Sequence, residues 1–291
     1  MKSEIRAVVL DVDGILVGFK GGKNFPDPCP EIIAALKNIK ESGTPVILCT
    51  GRPFYAPTNA AIIKEANLNN FHIGDMGSLT MNPLSGEIFE CKTVSQEDSS
   101  RLVQQLLQEG IVTNFFTPES YFVQEDQAGN KINQLLSASV QITPEAVESL
   151  VEAVCGKNVL YVSGESKESG AKEAMERIYR GFSGRLNLLW GNNLFLEGYH
   201  YGFFGPAGIS KATGLERLIG DMGIPFENVL GAGDGVVDWE FMKLCGYRAT
   251  LENAVPQVLE NVSRRDKERN FIGPHVDQNG ILEVLRHFGL M

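Results

Sequence analysis

Two short runs of acids carry the most specific chemistry in this sequence. The first is Val8-Val9-Leu10-Asp11-Val12-Asp13-Gly14-Ile15-Leu16. In an extended strand, residues two apart face the same side. Asp11 and Asp13 therefore leave the end of an apolar strand together. Two carboxylates this close repel and raise at least one pKa unless a cation sits between them. The second run is Leu230-Gly231-Ala232-Gly233-Asp234-Gly235-Val236-Val237-Asp238, again an apolar strand that stops in glycines and acids. Its glycines alternate by two, so it fails the G-x-G-x-x-G spacing of a dinucleotide loop. Carboxylates here suit a hard divalent cation, and magnesium takes one or two carboxylates, waters and substrate phosphate. Each run alone fits a surface turn with solvated acids as well.

Two weaker signals lie between them. Thr50-Gly51-Arg52 follows an apolar strand, where a hydroxyl and a glycine N–H can hold phosphate oxygens. The same residues could simply cap the helix after Pro53. Lys211 follows Gly208-Ile209-Ser210 near a helix start, where a cation opposes the helix dipole. That hints at a partner elsewhere, although a single surface lysine usually has no role.

The elements that must position these residues alternate at first. Strand patterns at 5–10, 45–49 and 71–74 are separated by helix patterns at 30–41 and 53–66. This β-α-β-α-β order predicts a parallel sheet with right-handed crossovers. After about residue 81 the style changes. Turn signals at Asn82-Pro83 and Ser85-Gly86 lead into helix patterns at 98–109, 143–155 (Thr143 as N-cap, Pro144 at N1) and 171–180. Strand patterns fall at 111–116, 121–124, 159–162, 185–190 and 194–197. From about residue 198 the first style returns, with helices at 210–222, 239–244 and 280–288 and strands at 229–232 and 247–250. The expectation is a doubly wound, Rossmann-like α/β core formed by residues 1–82 and 196–291. An α+β domain of residues 83–195 is inserted in it.

Composition bounds the partners. The 291 residues suggest about two domains. With 43% hydrophobic and 21% charged residues the chain reads as globular. Its net charge of −10 makes it a poor candidate for wrapping nucleic acid or coating an anionic membrane. An anionic substrate stays possible where a metal or a lysine reverses the local field. Cys29, Cys49, Cys91, Cys155 and Cys245 are odd in number with no Cys-x-x-Cys pair, which argues against a disulfide framework and a thiolate zinc site. The apolar run at 7–10 is broken at once by Asp11, too short for a translocation segment. No stretch approaches the roughly 20 apolar residues of a membrane span. A cytoplasmic chain is expected.

Taken together, the four signals resemble the haloacid dehalogenase superfamily of aspartate-nucleophile phosphatases. The motifs match as Asp11-Val12-Asp13-Gly14, Thr50-Gly51-Arg52, Lys211, and Gly233-Asp234-Gly235-Val236-Val237-Asp238. An insertion between the second and third motifs resembles the subclass IIB branch with a large α/β cap. That branch includes Cof-like sugar-phosphate phosphatases, sucrose-phosphate and mannosylglycerate phosphatases, and phosphomannomutase. Further Cof-like echoes are Met76-Gly77-Ser78, Leu251-Glu252-Asn253-Ala254 and Asp277-Gln278-Asn279-Gly280-Ile281.

The resemblance implies roles. Asp11 would attack phosphorus and Asp13 would protonate the leaving oxygen, then activate water. Magnesium would bind Asp11, the Asp13 carbonyl and Asp234, with Asp238 direct or through water. Thr50 and the Gly51 N–H would hold phosphate oxygens, and Lys211 would bridge Asp11 and the phosphate. Two residues depart from the family pattern: Ile15 stands where Thr is usual, and Val237 where Asn is usual. The expected reaction is magnesium-dependent hydrolysis of a small phosphorylated metabolite, most simply a sugar phosphate. The alternatives are phosphomannomutase-like transfer and a weakly active or non-catalytic sugar-phosphate-binding protein. Cap residues Asn114, Arg185, Asn187, Asn192 and Asn193 are candidates for specificity, each of which could equally be surface.

Overall fold

The structure is a computed structural model that describes residues 4–18, 21–190, 198–264 and 266–291. The chain begins with β1 (Ala7–Leu10), α1 (Pro30–Glu41), β2 (Val46–Leu48), α2 (Pro57–Glu65), β3 (His72–Gly74), β4 (Leu79–Asn82) and β5 (Glu87–Cys91). It continues with α3 (Gln96–Gln108), β6 (Val112–Phe116), β7 (Tyr121–Gln124), α4 (Glu125–Ala128), α5 (Lys131–Val140), β8 (Glu145–Val147) and α6 (Leu150–Ala153). Then come β9 (Tyr161–Ser166), α7 (Ala171–Arg180), β10 (Leu186–Trp190) and β11 (His200–Pro206). The last stretch holds α8 (Lys211–Asp221), β12 (Val229–Ala232), α9 (Val236–Met242), β13 (Tyr247–Leu251), α10 (Pro256–Ser263), β14 (Asn270–Gly273) and α11 (Gly280–His287). Among the described residues no helix is long and apolar enough to cross a membrane.

The chain divides into two compact units, residues 1–52, 58–89 and 210–291 in one, and 53–57 and 90–209 in the other. The first unit is built on a five-stranded parallel sheet ordered β14-β13-β12-β1-β2. A single parallel bridge, Cys49 to Ile73, joins the β2 exit to β3, which leads a second sheet, β3-β4-β5. All four residues of β1 are fully buried, as a central parallel strand requires. Ala7 and Val9 face a cluster with Leu215, Leu218 and Ile219 of α8, Phe241 and Met242 of α9, and Val258 and Val262 of α10. Alternation turns Val8 and Leu10 to the opposite face. Burying each such aliphatic side chain contributes roughly 1.5–3 kcal/mol.

From β1 the chain builds outward to β2. It returns to build β12, β13 and β14 on the other side of β1. The direction of winding therefore reverses between β1 and β12, and open α/β sheets bind ligands at the carboxyl ends of the strands beside such a reversal. Both acidic motifs emerge there, Asp11 from β1 and Asp234 from β12.

The second unit holds a six-stranded sheet ordered β10-β11-β9-β6-β7-β8, antiparallel except for the parallel β7–β8 pair. Phe115, Phe122, Val162 and Phe204 pack from one sheet face against Leu102 and Leu106 of α3, Leu150 of α6, and Met175 and Ile178 of α7. Two expectations differ here. Residues 143–155 do not form one helix. Glu145–Val147 pairs as an edge strand with Phe122–Gln124, and a new helical turn starts at Leu150, where Ser149 accepts from the Glu152 N–H. Thr143 thus caps nothing. His200–Pro206 pairs with β9 and β10, so the chain leaves this sheet only after residue 206, later than the expected boundary at 195/196. The strand expected at 194–197 falls outside the described residues.

Candidate active site

Asp11 is the first residue beyond β1. Its N–H donates to the Ala232 carbonyl at 2.9 Å, which pins the first acidic motif to β12. Lys211 opens α8, and Ser210 caps that helix through a reciprocal pair of bonds with Thr213. Gly77 (φ 96°) makes this approach possible, because a Cβ there would lie 2.2 Å from the Ser210 carbonyl oxygen. The Met76-Gly77-Ser78 echo is thus a seat for the N-terminus of α8. From that seat Lys211 Nζ donates to Asp11 Oδ1 at 2.9 Å and to Asp238 Oδ1 at 2.6 Å. The lysine that opposes its own helix dipole is held by two carboxylates instead.

Asp238 Oδ2 in turn accepts the Gly235 N–H at 2.8 Å, so the acidic loop closes on itself. Gly14 (φ 73°) lets β1's exit turn touch Asp234, since a Cβ there would lie 1.9 Å from Asp234 Oδ2. One carboxylate oxygen each from Asp11, Asp234 and Asp238 lies within 4.8 Å of the other two. Asp13 points elsewhere and is half-exposed. Arg52 grips both of its oxygens, Nε to Oδ2 at 2.8 Å and Nη2 to Oδ1 at 2.6 Å. Thr50 is fully buried and its Oγ1 accepts the Arg52 N–H at 3.1 Å. Gly51 passes against Met76, whose Sδ would be 2.6 Å from a Cβ.

Electrostatics follow from burial. Burial and then Asp238 push the Asp11 carboxyl up to about 7. Burial, then Asp238, Asp11 and Asp13, push Asp234 well above the usual carboxylate range. Burial alone would lower Lys211, but Asp11 and Asp238 outweigh it and hold the ammonium above its ordinary value. Burial likewise opposes the Arg52 charge, and Asp13 outweighs it. Asp13 and Arg52 offset each other, and Asp11, Asp234 and Asp238, when all ionised, leave a formal charge of −2 against Lys211. A buried excess of that size with an all-oxygen donor set fits one divalent cation.

All seven expected site residues, Asp11, Asp13, Thr50, Gly51, Lys211, Asp234 and Asp238, belong to the first unit, at the exits of β1, β2 and β12 and the openings of α8 and α9. Sequence reasoning missed the Arg52 fork on Asp13. The signal was an arginine at a strand exit, whose partner lies 39 residues away. Ile15 is fully buried and Val237 half-buried.

In the second unit, Arg185 forks both oxygens of Asp98 at 2.9–3.0 Å, and Asn187 donates to the Ile209 carbonyl at 2.9 Å. Asn114 is fully buried and donates to Glu165 Oε2 at 3.2 Å. Glu165, which the sequence did not flag, is pushed by burial up to about 8. Asn192 and Asn193 lie outside the described residues.

A family model for haloacid dehalogenase-like hydrolases matches residues 8–285. The chain is 25% identical over 270 residues to the uncharacterized hydrolase C215.10 of Schizosaccharomyces pombe, covering 88% of this chain and 84% of that protein. It superposes with a TM-score of 0.78 on the subclass IIB sugar phosphatase BT4131, at 18% identity over 98% of this chain and all of that one. The phosphatase BT1666 from Bacteroides thetaiotaomicron gives a TM-score of 0.75 at 22% identity, covering 99% of this chain and 96% of that one.

Proposed function

The chain belongs to the haloacid dehalogenase-like hydrolases, and on that premise we propose that it is a magnesium-dependent phosphomonoester hydrolase acting through a phosphorylated Asp11. Its substrate in this reading is a small phosphorylated metabolite, a sugar phosphate. The observation that carries the reading is the Lys211 bridge between Asp11 and Asp238 beside a buried carboxylate excess. Such a cluster is costly to bury unless a cation completes it, and a divalent cation there would in turn attract an anionic ligand.

Asp11, Asp234 and Asp238, with the Asp13 carbonyl, would hold magnesium. The ion would supply the positive charge that lets a carboxylate approach a phosphate, a repulsion of roughly 4 kcal/mol per pair of unit charges at 4 Å and effective dielectric 20. Thr50 Oγ1 and the Gly51 N–H orient the phosphoryl oxygens. Asp11 attacks phosphorus, the bond to the leaving oxygen breaks, and Asp13 delivers a proton to that oxygen. Asp13 then takes a proton from water, whose oxygen attacks phosphorus and frees Asp11 and phosphate. Lys211 keeps Asp11 aimed and shares the charge that develops. Arg52 holds both Asp13 oxygens in the structure, so Asp13 must leave this fork before either oxygen can deliver or take a proton.

The test is release of inorganic phosphate from para-nitrophenyl phosphate and a panel of phosphorylated sugars, with magnesium. Wild type should release phosphate and Asp11→Asn should not. Retained hydrolysis in Asp11→Asn would overturn the nucleophile.

A further inference from the structure

The Leu251-Glu252-Asn253-Ala254 and Asp277-Gln278-Asn279-Gly280 echoes contribute no group to the chemistry above. Asn253 nevertheless reaches the nucleophile motif. Its Nδ2 donates to the Gly14 carbonyl at 2.8 Å, across 239 residues of sequence. Its Oδ1 accepts the Val276 N–H at 2.9 Å. The Val276 carbonyl accepts Asn24 Nδ2 at 2.7 Å, and the Asn24 carbonyl accepts the Gly18 N–H at 2.8 Å. The relay thus leaves the β1 exit turn at Gly14 and returns to it at Gly18.

The turn is also tied to β12 by the Asp11 N–H on the Ala232 carbonyl, and to Lys211 and Arg52 through the Asp11 and Asp13 carboxylates; its remaining bonds are internal. Gly14 N–H donates to Val17, and both Leu16 N–H and Val17 N–H donate to Val12. Those bonds shape the turn without fixing it to the acidic loop. The loop carrying Asn253 is fixed there: the Val255 N–H donates to the Asp234 carbonyl at 3.0 Å, and Thr250 Oγ1 donates to the Gly233 carbonyl at 2.8 Å. Asn253 therefore stands on a segment anchored to Asp234 and holds the turn that carries Asp11 and Asp13. In the same turn Gly14 packs against the Asp234 carboxylate, where a Cβ would lie 1.9 Å from Oδ2.

We infer that Asn253 is a positioning residue: its side-chain amide sets the registry between the Asp11–Asp13 turn and the Asp234 loop, while touching no reacting atom. The inference rests on the proposed hydrolase reading for its kinetic consequence only. Misplacing reacting groups by about 1 Å costs on the order of 10²-fold in rate. Substrate affinity should change little, because the phosphate-holding Thr50 and Gly51 lie on another strand exit.

The experiment compares wild type, Asn253→Ala and Asn253→Asp as full-length protein. Asn253→Asp keeps the acceptor for Val276 and loses the donor to Gly14, and it carries the measurement if Asn253→Ala does not fold. With para-nitrophenyl phosphate and magnesium, both variants should lose about 10- to 100-fold in kcat with KM within about twofold. Amide hydrogen exchange should accelerate in the peptide spanning residues 12–18 and stay unchanged at 46–48. Wild-type kcat in Asn253→Asp, unchanged exchange at 12–18, or exchange raised throughout the sheet would each overturn the inference. Should wild type release no phosphate, the hydrolase reading fails while the exchange measurement still decides for or against the role of Asn253.

Discussion

Lys211 lies closer to Asp238 than to Asp11, 2.6 Å against 2.9 Å, so the lysine belongs as much to the acidic loop after β12 as to Asp11 at the β1 exit. All three side chains are buried. Removing the ammonium leaves two buried carboxylates without their shared cation, and breaking one partner of a buried pair typically costs 3–5 kcal/mol. In metal-free protein, Lys211→Met should therefore lower the melting temperature. The double variant Lys211→Met/Asp238→Asn should recover part of that loss, since it deletes one orphaned charge. Hydrolysis should fall about 10²- to 10³-fold in the single variant. Thermal melts and phosphate release check both, and a melting temperature equal to wild type would show the bridge to be energetically idle.

Metal removal has a pH signature. Burial and Asp238 hold Asp11 up at about 7, so without a cation the folded protein binds a proton there that the unfolded chain releases near 3.8. Metal-free stability should fall as pH rises between those values. Magnesium must displace that proton, so its apparent affinity should weaken as pH drops below about 7. Chelation should abolish hydrolysis. Melts at pH 5 and pH 8, with and without magnesium, should show a larger stabilisation by the ion at pH 8.

Glu165 gives a separate test in the second unit. Burial raises its carboxyl from 4.5 to about 8. The stability it contributes is complete below about pH 4.5 and is lost as pH rises through 8, with a ceiling of roughly 5 kcal/mol by linkage. Glu165→Gln, neutral at every pH, should match wild type at pH 5 and exceed it at pH 9. Denaturant midpoints at the two pH values measure this, and parallel pH dependence in both proteins would exclude an ionised Glu165 as the cause.

Hydrolysis and transfer differ in product. A phosphatase releases phosphate from a sugar phosphate, whereas a mutase rebinds its bisphosphate intermediate and returns an isomer. Assaying free phosphate against isomerised sugar in one reaction should find phosphate in large excess. A dominant isomer peak would move the chain to phosphoryl transfer.

The strands that carry the site were legible because a parallel strand covered on both faces reads as an unbroken apolar run, as Ala7–Leu10 and Val229–Ala232 do. The short edge strand Glu145–Val147 was not, because its pairing with β7 overrode a local pattern that reads as helix after Thr143-Pro144. Helix Lys131–Val140 also went unread, although Asn130 caps it by accepting the Asn133 N–H, and so did strand Asn270–Gly273.

Residue type and spacing alone determined which groups could do phosphate chemistry: paired acids at two strand exits, a hydroxyl-glycine turn and one lysine at a helix start. Spacing along a chain reports only which side of its own strand or helix a residue takes. Which groups meet is set by sheet order, and that order seats β12 beside β1 although more than 200 residues separate them. The tertiary structure therefore decided that Lys211 is shared by Asp11 and Asp238, that Arg52 holds the Asp13 carboxylate, and that Asn253 ties the two acidic loops together.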